Sequence, residues 1–204
     1  MVILCFGDSI TYGYDPATGG RFAPKDRWPE VMAQQLGAGH HVITEALPGR
    51  TTVFDSPYAP ARSGRDLLAP LLESHAPLDL VIIMLGTNDL QVPLELSARH
   101  AASGLWTLLD IVARSNAGPA AGPPQCLVVV PPAIRPEARS WWPATSWRGR
   151  MSTVCTSMRK PSEPSAVLSQ IGWPRYSADL SAAVPRPDSG PSAWPRTSPG
   201  PRAR

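Results

Sequence analysis

Three short turns in this chain carry residues that could do chemistry. In the first, Gly7-Asp8-Ser9-Ile10-Thr11 follows the apolar run Val2 to Phe6, and Gly13 comes soon after. An apolar run that meets a glycine at its end predicts a buried strand entering a tight turn. There the Ser9 hydroxyl is lifted out of the ladder, and its N–H, free of a strand partner, can point at an anion. Asp8 and Ser9 would serve equally well as caps of the turn or of a helix start, and these residues alone do not choose between the roles. The second turn is Leu47-Pro48-Gly49-Arg50-Thr51-Thr52. Its glycine marks either a close approach of backbone to a ligand or only a positive φ. The third is Gly86-Thr87-Asn88-Asp89, a polar turn after the apolar run Leu78 to Leu85.

Hydrophobic periodicity predicts the elements that would hold these turns. Asp26 reads as the N-cap of a helix carrying Trp28, Val31, Met32 and Leu36 at helical spacing, with Gly37 as its stop. His41 to Ala46 reads as a second strand. A helix from about Arg62 to Ser74 presents Leu67, Leu68, Leu71 and Leu72, although Pro70 lies inside it. Leu80 to Leu85 is apolar on both faces, as a parallel strand covered by helices should be. Ser97 to about Asn116 places Ala101, Leu105, Leu108 and Val112 on one stripe, and Gln125 to Val130 is a fourth strand. Strands that alternate with helices imply an α/β sandwich with a mostly parallel sheet and right-handed crossovers. All strand carboxyl ends of such a sheet lie on one edge, so Ser9, Gly49 and Asn88 are expected to converge there.

Composition divides the chain in two. The net charge of +3 averages a region 1–145 with 10 basic and 13 acidic residues and a region 146–204 with 9 basic and 3 acidic ones. The second region also holds 9 prolines and 11 serines, with Trp147, Trp173 and Trp194 scattered among polar residues and no sustained period. The expectation is an α/β domain over 1–145 and a Pro/Ser/Arg-rich tail over 146–204 that is protease-sensitive or the product of a reading-frame shift near residues 135–150. Such a tail could bind phosphates weakly, but no nucleic-acid fold or basic–aromatic motif accompanies it, so no nucleic-acid partner is expected.

Cys5, Cys126 and Cys155 are too few for a disulfide framework, and Cys5 and Cys126 lie in apolar runs. The cysteines and histidines show no ligand spacing, so no metal and no cofactor is expected. His40 and His41 read as loop-edge residues without partners, His75 as a cation at a helix C-terminus and His100 as a surface residue. No apolar stretch approaches the ~18 residues of a bilayer span, and the Gly-Asp-Ser turn begins too early for a signal peptide before it. A cytoplasmic protein without a membrane partner is expected, with homo-oligomerisation left open.

Taken together, Gly7-Asp8-Ser9, Gly49 and Gly86-Thr87-Asn88-Asp89 resemble the first three blocks of the SGNH hydrolases, also called GDSL esterases and lipases. The likeness runs over roughly residues 1–135. Leu4-Cys5-Phe6-Gly7-Asp8-Ser9, Arg21-Phe22-Ala23-Pro24 and 78–89 look most like the bacterial arylesterase and acyltransferase branch. The resemblance implies a flavodoxin-like three-layer sandwich and a small-molecule ester substrate. It implies Ser9 as nucleophile of an acyl-enzyme, and the Ser9 N–H, Gly49 N–H and Asn88 side-chain amide as oxyanion donors. Asp8 would shape the turn through a local Asx-type bond.

The family's base is a histidine in an Asp-x-x-His block near the C-terminus. This chain has four histidines, none after His100. Asp179 is followed three positions on by Ala182, and Asp188 by Pro191. The fold is therefore expected to be incomplete at the C-terminus. An esterase and a catalytically impaired relative that still binds esters are both consistent with this sequence.

Overall fold

The computed structural model describes residues 1–57, 59–91 and 94–132. The expectations for the region from 146 onward, including Cys155 and the three tail tryptophans, lie outside the described residues, as does the boundary at 145.

Four strands form one sheet: β1 (Val2–Gly7), β2 (His41–Ala46), β3 (Leu80–Met84) and β4 (Gln125–Val128). Their order is β2-β1-β3-β4, and every pair is parallel. This is the strand order of a flavodoxin-like fold, in which the crevice between the first and third strands is the topological switch point. The helices are α1 (Ser9–Tyr12), α2 (Trp28–Leu36), α3 (Gly64–Ser74) and α4 (Ala98–Arg114).

The pleat of β1 sorts its side chains onto two faces. Leu4 and Phe6 join Val81, Ile83 and Leu85 under Leu68 and Leu72 of α3 and Leu108 and Val112 of α4. Ile3 and Cys5 join Ile82, Met84 and Leu127 on the other face, against Met32 of α2 with Trp28 and Leu36 beside it. The sheet is thus covered on both faces, which is why its central strands read as unbroken apolar runs. Each fully buried aliphatic side chain contributes about 1.5–3 kcal/mol, and the two clusters set the sheet rigidly between its helices.

The fourth strand ends at Val128 and the last helix at Arg114, two residues short of expectation in each case; two other boundaries differ for clear local reasons. Asp26 does not cap α2. It belongs to a short 3-10 turn, Pro24–Asp26, and the chain turns extended at Arg27 before the helix begins. The helix expected from Arg62 starts at Gly64, because the Arg62 carbonyl is engaged by the Thr51 N–H at 2.9 Å, and Gly64 N–H bonds the Thr51 carbonyl at 3.1 Å. Pro70 lies exposed within α3, where the missing N–H leaves the buried side of the helix undisturbed.

Candidate active site

Gly7, Ala46 and Met84 sit side by side in register at the ends of three parallel strands. The turns that follow them therefore leave the same edge of the sheet at the same level. Ser9, Gly49 and Asn88, expected to converge, follow those three strand ends.

The first turn has little freedom. A Cβ on Gly7 would stand 2.0 Å from Thr11 Oγ1 and 3.1 Å from the Met84 carbonyl, so glycine lets α1 fold back tightly on the strand end. Asp8 caps α1: its Oδ1 accepts from the Ile10 N–H at 2.9 Å, the Asx-type bond expected of it. Ser9 is the first helical residue and is nearly buried. Gly13, at φ +79, ends the helix by donating to the Ser9 carbonyl at 3.0 Å.

The second turn is closed by the Arg50 N–H, which donates to the Leu47 carbonyl at 3.1 Å. Gly49 has φ +80, so the positive-φ reading of this glycine holds. In the third turn, Asn88 is 1% exposed. Its Nδ2 donates to the Arg50 carbonyl at 2.8 Å and, at a longer 3.3 Å, to Asp8 Oδ2. Its Oδ1 accepts from Gln91 Nε2 at 2.7 Å. The Asn88 amide thus touches residues of both other turns, and both of its hydrogens are engaged.

Two further residues were not singled out from the sequence. Asp89 is fully buried and holds Thr52: it accepts from the Thr52 N–H at 3.1 and 3.2 Å and from the Thr52 hydroxyl at 2.6 Å. Arg50 is 3% exposed, and its NH1 donates to the carbonyls of Gly7 and Glu45. The only sequence signal for either was its position, next to Asn88 in one case and Gly49 in the other.

Burial dominates the electrostatics. Desolvation pushes the Asp8 carboxyl up to about 7, with the Ile10 N–H opposing, Asp89 adding to the rise and the Arg50 charge lowering it. Burial raises Asp89 too, against the Thr52 bonds that favour its charged form. Desolvation lowers the Arg50 guanidinium to about 10, so it stays cationic at neutral pH. Cys5 is buried on the α2 face of the sheet and Cys126 is half-buried against the α3–α4 face; burial raises both thiols, Cys126 to about 12, and neither is a thiolate at neutral pH.

The four histidines stand elsewhere. His40 precedes β2 and His41 opens it, at the strand end opposite the three turns, about 16 Å away along a six-residue strand. His40 is half-buried with Nδ1 unpartnered, so it is less exposed than its loop-edge position suggested. His75 follows α3 as expected, but its Nε2 pairs with Glu45 Oε1 at 2.8 Å. His100 is exposed in the first turn of α4, where its Nδ1 accepts from the Ser97 N–H at 3.0 Å. Among the described residues no three His, Cys, Asp or Glu side chains group as metal ligands, and no helix is long and apolar enough to cross a membrane.

Known proteins share this fold. The family model for GDSL-like lipases and acylhydrolases matches residues 5–163. A carbohydrate acetylesterase family member from Sinorhizobium meliloti superposes with a TM-score of 0.62 at 42% identity, covering 66% of this chain and 64% of its own. The aryl esterase of M. smegmatis does so with a TM-score of 0.62 at 45% identity, covering 66% of each chain. This chain thus spans just under two thirds of the length of these relatives. No curated protein sequence matches it. The shared fold, the three turns at one sheet edge and the extent of the family match lead to one conclusion: the chain belongs to the GDSL-like lipase/acylhydrolase family.

Proposed function

We propose that this protein is a serine esterase acting on small acyl esters, with Ser9 as its nucleophile. In the first step a bond forms from Ser9 Oγ to the ester carbonyl carbon, and the carbonyl oxygen becomes an oxyanion. The N–H groups of Ser9 and Gly49 and the Nδ2 of Asn88 are its donors. Collapse expels the alcohol, which takes up the proton that Ser9 gives up, and leaves an acyl-enzyme. Water then releases the acid, or a second alcohol takes the acyl group. Each oxyanion donor is typically worth about 3 kcal/mol in the transition state.

The observation that carries this reading is the pair of bonds from Asn88 Nδ2 to Arg50 and Asp8, which ties all three turns into one constellation. The longer bond, 3.3 Å to Asp8, is the one an oxyanion would replace. The substrate class follows from the aryl esterase and carbohydrate acetylesterase to which the chain is similar. Aryl and sugar acetates are the first candidates.

A second reading rests on the sequence after His100, which contains no histidine. A serine without a base is a weak nucleophile at neutral pH. On that reading the chain binds esters and turns them over feebly, with the oxyanion donors still in place. Turnover of 4-nitrophenyl acetate by the chain and by Ser9→Ala tests the function. Either reading with a working Ser9 requires a rate above that of the variant, large for an esterase and small for an impaired one. Equal rates remove Ser9 from the chemistry.

A further inference from the structure

We propose that Arg50 is a positioning residue of the oxyanion site, one that fixes the distance between the Ser9 turn and the Gly49 turn by clamping two strand ends with a single guanidinium. The inference rests on the esterase reading above and names a residue that does not touch the substrate.

Four contacts converge on this side chain and its backbone. NH1 donates to the Gly7 carbonyl at 3.0 Å and to the Glu45 carbonyl at 2.6 Å. Gly7 is the last residue of β1, two before Ser9, and Glu45 lies next to the end of β2. The guanidinium carbon lies 4.3 Å from the centroid of the Phe6 ring, which anchors the cation on the core of the α3–α4 face. The Arg50 carbonyl is the acceptor for Asn88 Nδ2 at 2.8 Å. One residue therefore binds the strand end before the nucleophile, directly follows the Gly49 donor, and receives the third donor's side chain.

The clamp adds to the ladder rather than replacing it. The Gly7 carbonyl already accepts from the Leu47 N–H at 3.2 Å, and Glu45 lies within the paired stretch of β2. Arg50 NH1 gives each of these two carbonyls a charge-assisted bond, so one cation ties both strand ends together. The charges acting on it are Glu45 and Asp8, which favour the cation, and Arg62, which opposes it. Arg50 Nε is buried without a partner, so the guanidinium is placed for the two carbonyls rather than for a carboxylate fork. Misplacing an oxyanion donor by a fraction of an ångström affects the transition state more than substrate binding.

The experiment compares Arg50→Met and Arg50→Lys with the unaltered chain. Two quantities are read: 4-nitrophenyl acetate turnover above the Ser9→Ala rate, and backbone hydrogen exchange of residues 7–10 and 47–52. Arg50→Met is expected to lower kcat by about 10- to 100-fold with KM within about twofold, and to speed exchange in 47–52 by about tenfold or more while β3 stays protected. Arg50→Lys is expected to fall between, and it serves alone if the methionine variant does not fold. Unchanged exchange in 47–52 overturns the inference, as does unchanged Ser9-dependent kcat. If the unaltered chain shows no Ser9-dependent turnover, the esterase reading has failed, and exchange alone decides whether Arg50 holds the turns.

Discussion

The side-chain amide of Asn88 donates to the backbone carbonyl of Arg50 at 2.8 Å, joining the turn after β3 to the turn after β2. Between those turns lies a whole helix, α3, so the bond closes a long loop at the point where three strand ends meet. The bond orients the amide and leaves its second hydrogen on Asp8 at 3.3 Å, the weaker of the two contacts. On the proposed esterase reading, such a site would hold its donors before substrate arrives, which is what makes an oxyanion donor effective.

Asn88→Ala removes the two ties to Arg50 and Asp8 and, on the proposed reading, one oxyanion donor. It is expected to lower Ser9-dependent kcat by about 10²–10³ while KM changes little, measured with 4-nitrophenyl acetate. A KM effect without loss of kcat would assign Asn88 to ground-state binding instead.

The buried carboxylates make stability fall as pH rises. Asp8 has an ordinary value of about 3.9 in the unfolded chain, and burial pushes it up to about 7 in the fold. Below about pH 4 both states hold the proton; between about 4 and 7 the unfolded chain releases it first, so stability drains away and the loss is complete above 7. Asp89 is shifted the same way. The Asp8 contribution is on the order of 2–4 kcal/mol. Urea unfolding at pH 5 and pH 8 should show the protein weaker at pH 8, with the difference reduced in Asp8→Asn. Equal stability at both pH values in the unaltered chain would contradict the burial argument.

A small substitution far along the chain from Ser9 should also reach the turn after β2. A Cβ on Gly104 of α4 would stand 1.9 Å from Thr52 Oγ1, the hydroxyl that donates to Asp89. Gly104→Ala must push α4 off this turn or break the Thr52–Asp89 bond, at a cost of about 1–3 kcal/mol. Thermal unfolding should show Tm lowered by several degrees, whereas an alanine on open Gly39, where a Cβ meets nothing within 4 Å, should leave Tm nearly unchanged.

The histidines' positions lead to a chemical-rescue prediction. His40 and His41 lie at the far end of β2, His75 is held by Glu45, and His100 Nδ1 is held by Ser97. Added imidazole should therefore raise the Ser9-dependent rate severalfold and leave the Ser9→Ala chain at the background rate of imidazole itself. No rise in the unaltered chain, with a high starting rate, would mean that another base already serves Ser9.

Much of this arrangement was legible before the structure. The four strands could be read because their apolar runs end at glycines or prolines, and the parallel pattern alone put Ser9, Gly49 and Asn88 on one edge. Asp8 capped its turn as its type and place suggested. The parts that could not be read depend on partners far along the chain. Arg50 reaches a carbonyl 43 residues away and Asp89 a threonine 37 residues away, and no local period marks either as buried. Asp26 failed as a cap because Pro24 opened a separate 3-10 turn, a competition between two good local signals.

The central claim is that Ser9 becomes covalently acylated. The most direct test treats the protein with an activated aryl phosphonate, digests it and weighs the peptide that carries Ser9. The account predicts a phosphonyl adduct on Ser9 in the unaltered chain, formed faster when imidazole is present, and none in Ser9→Ala. An adduct on another residue, or an unmodified Ser9 after prolonged treatment with imidazole, would contradict it.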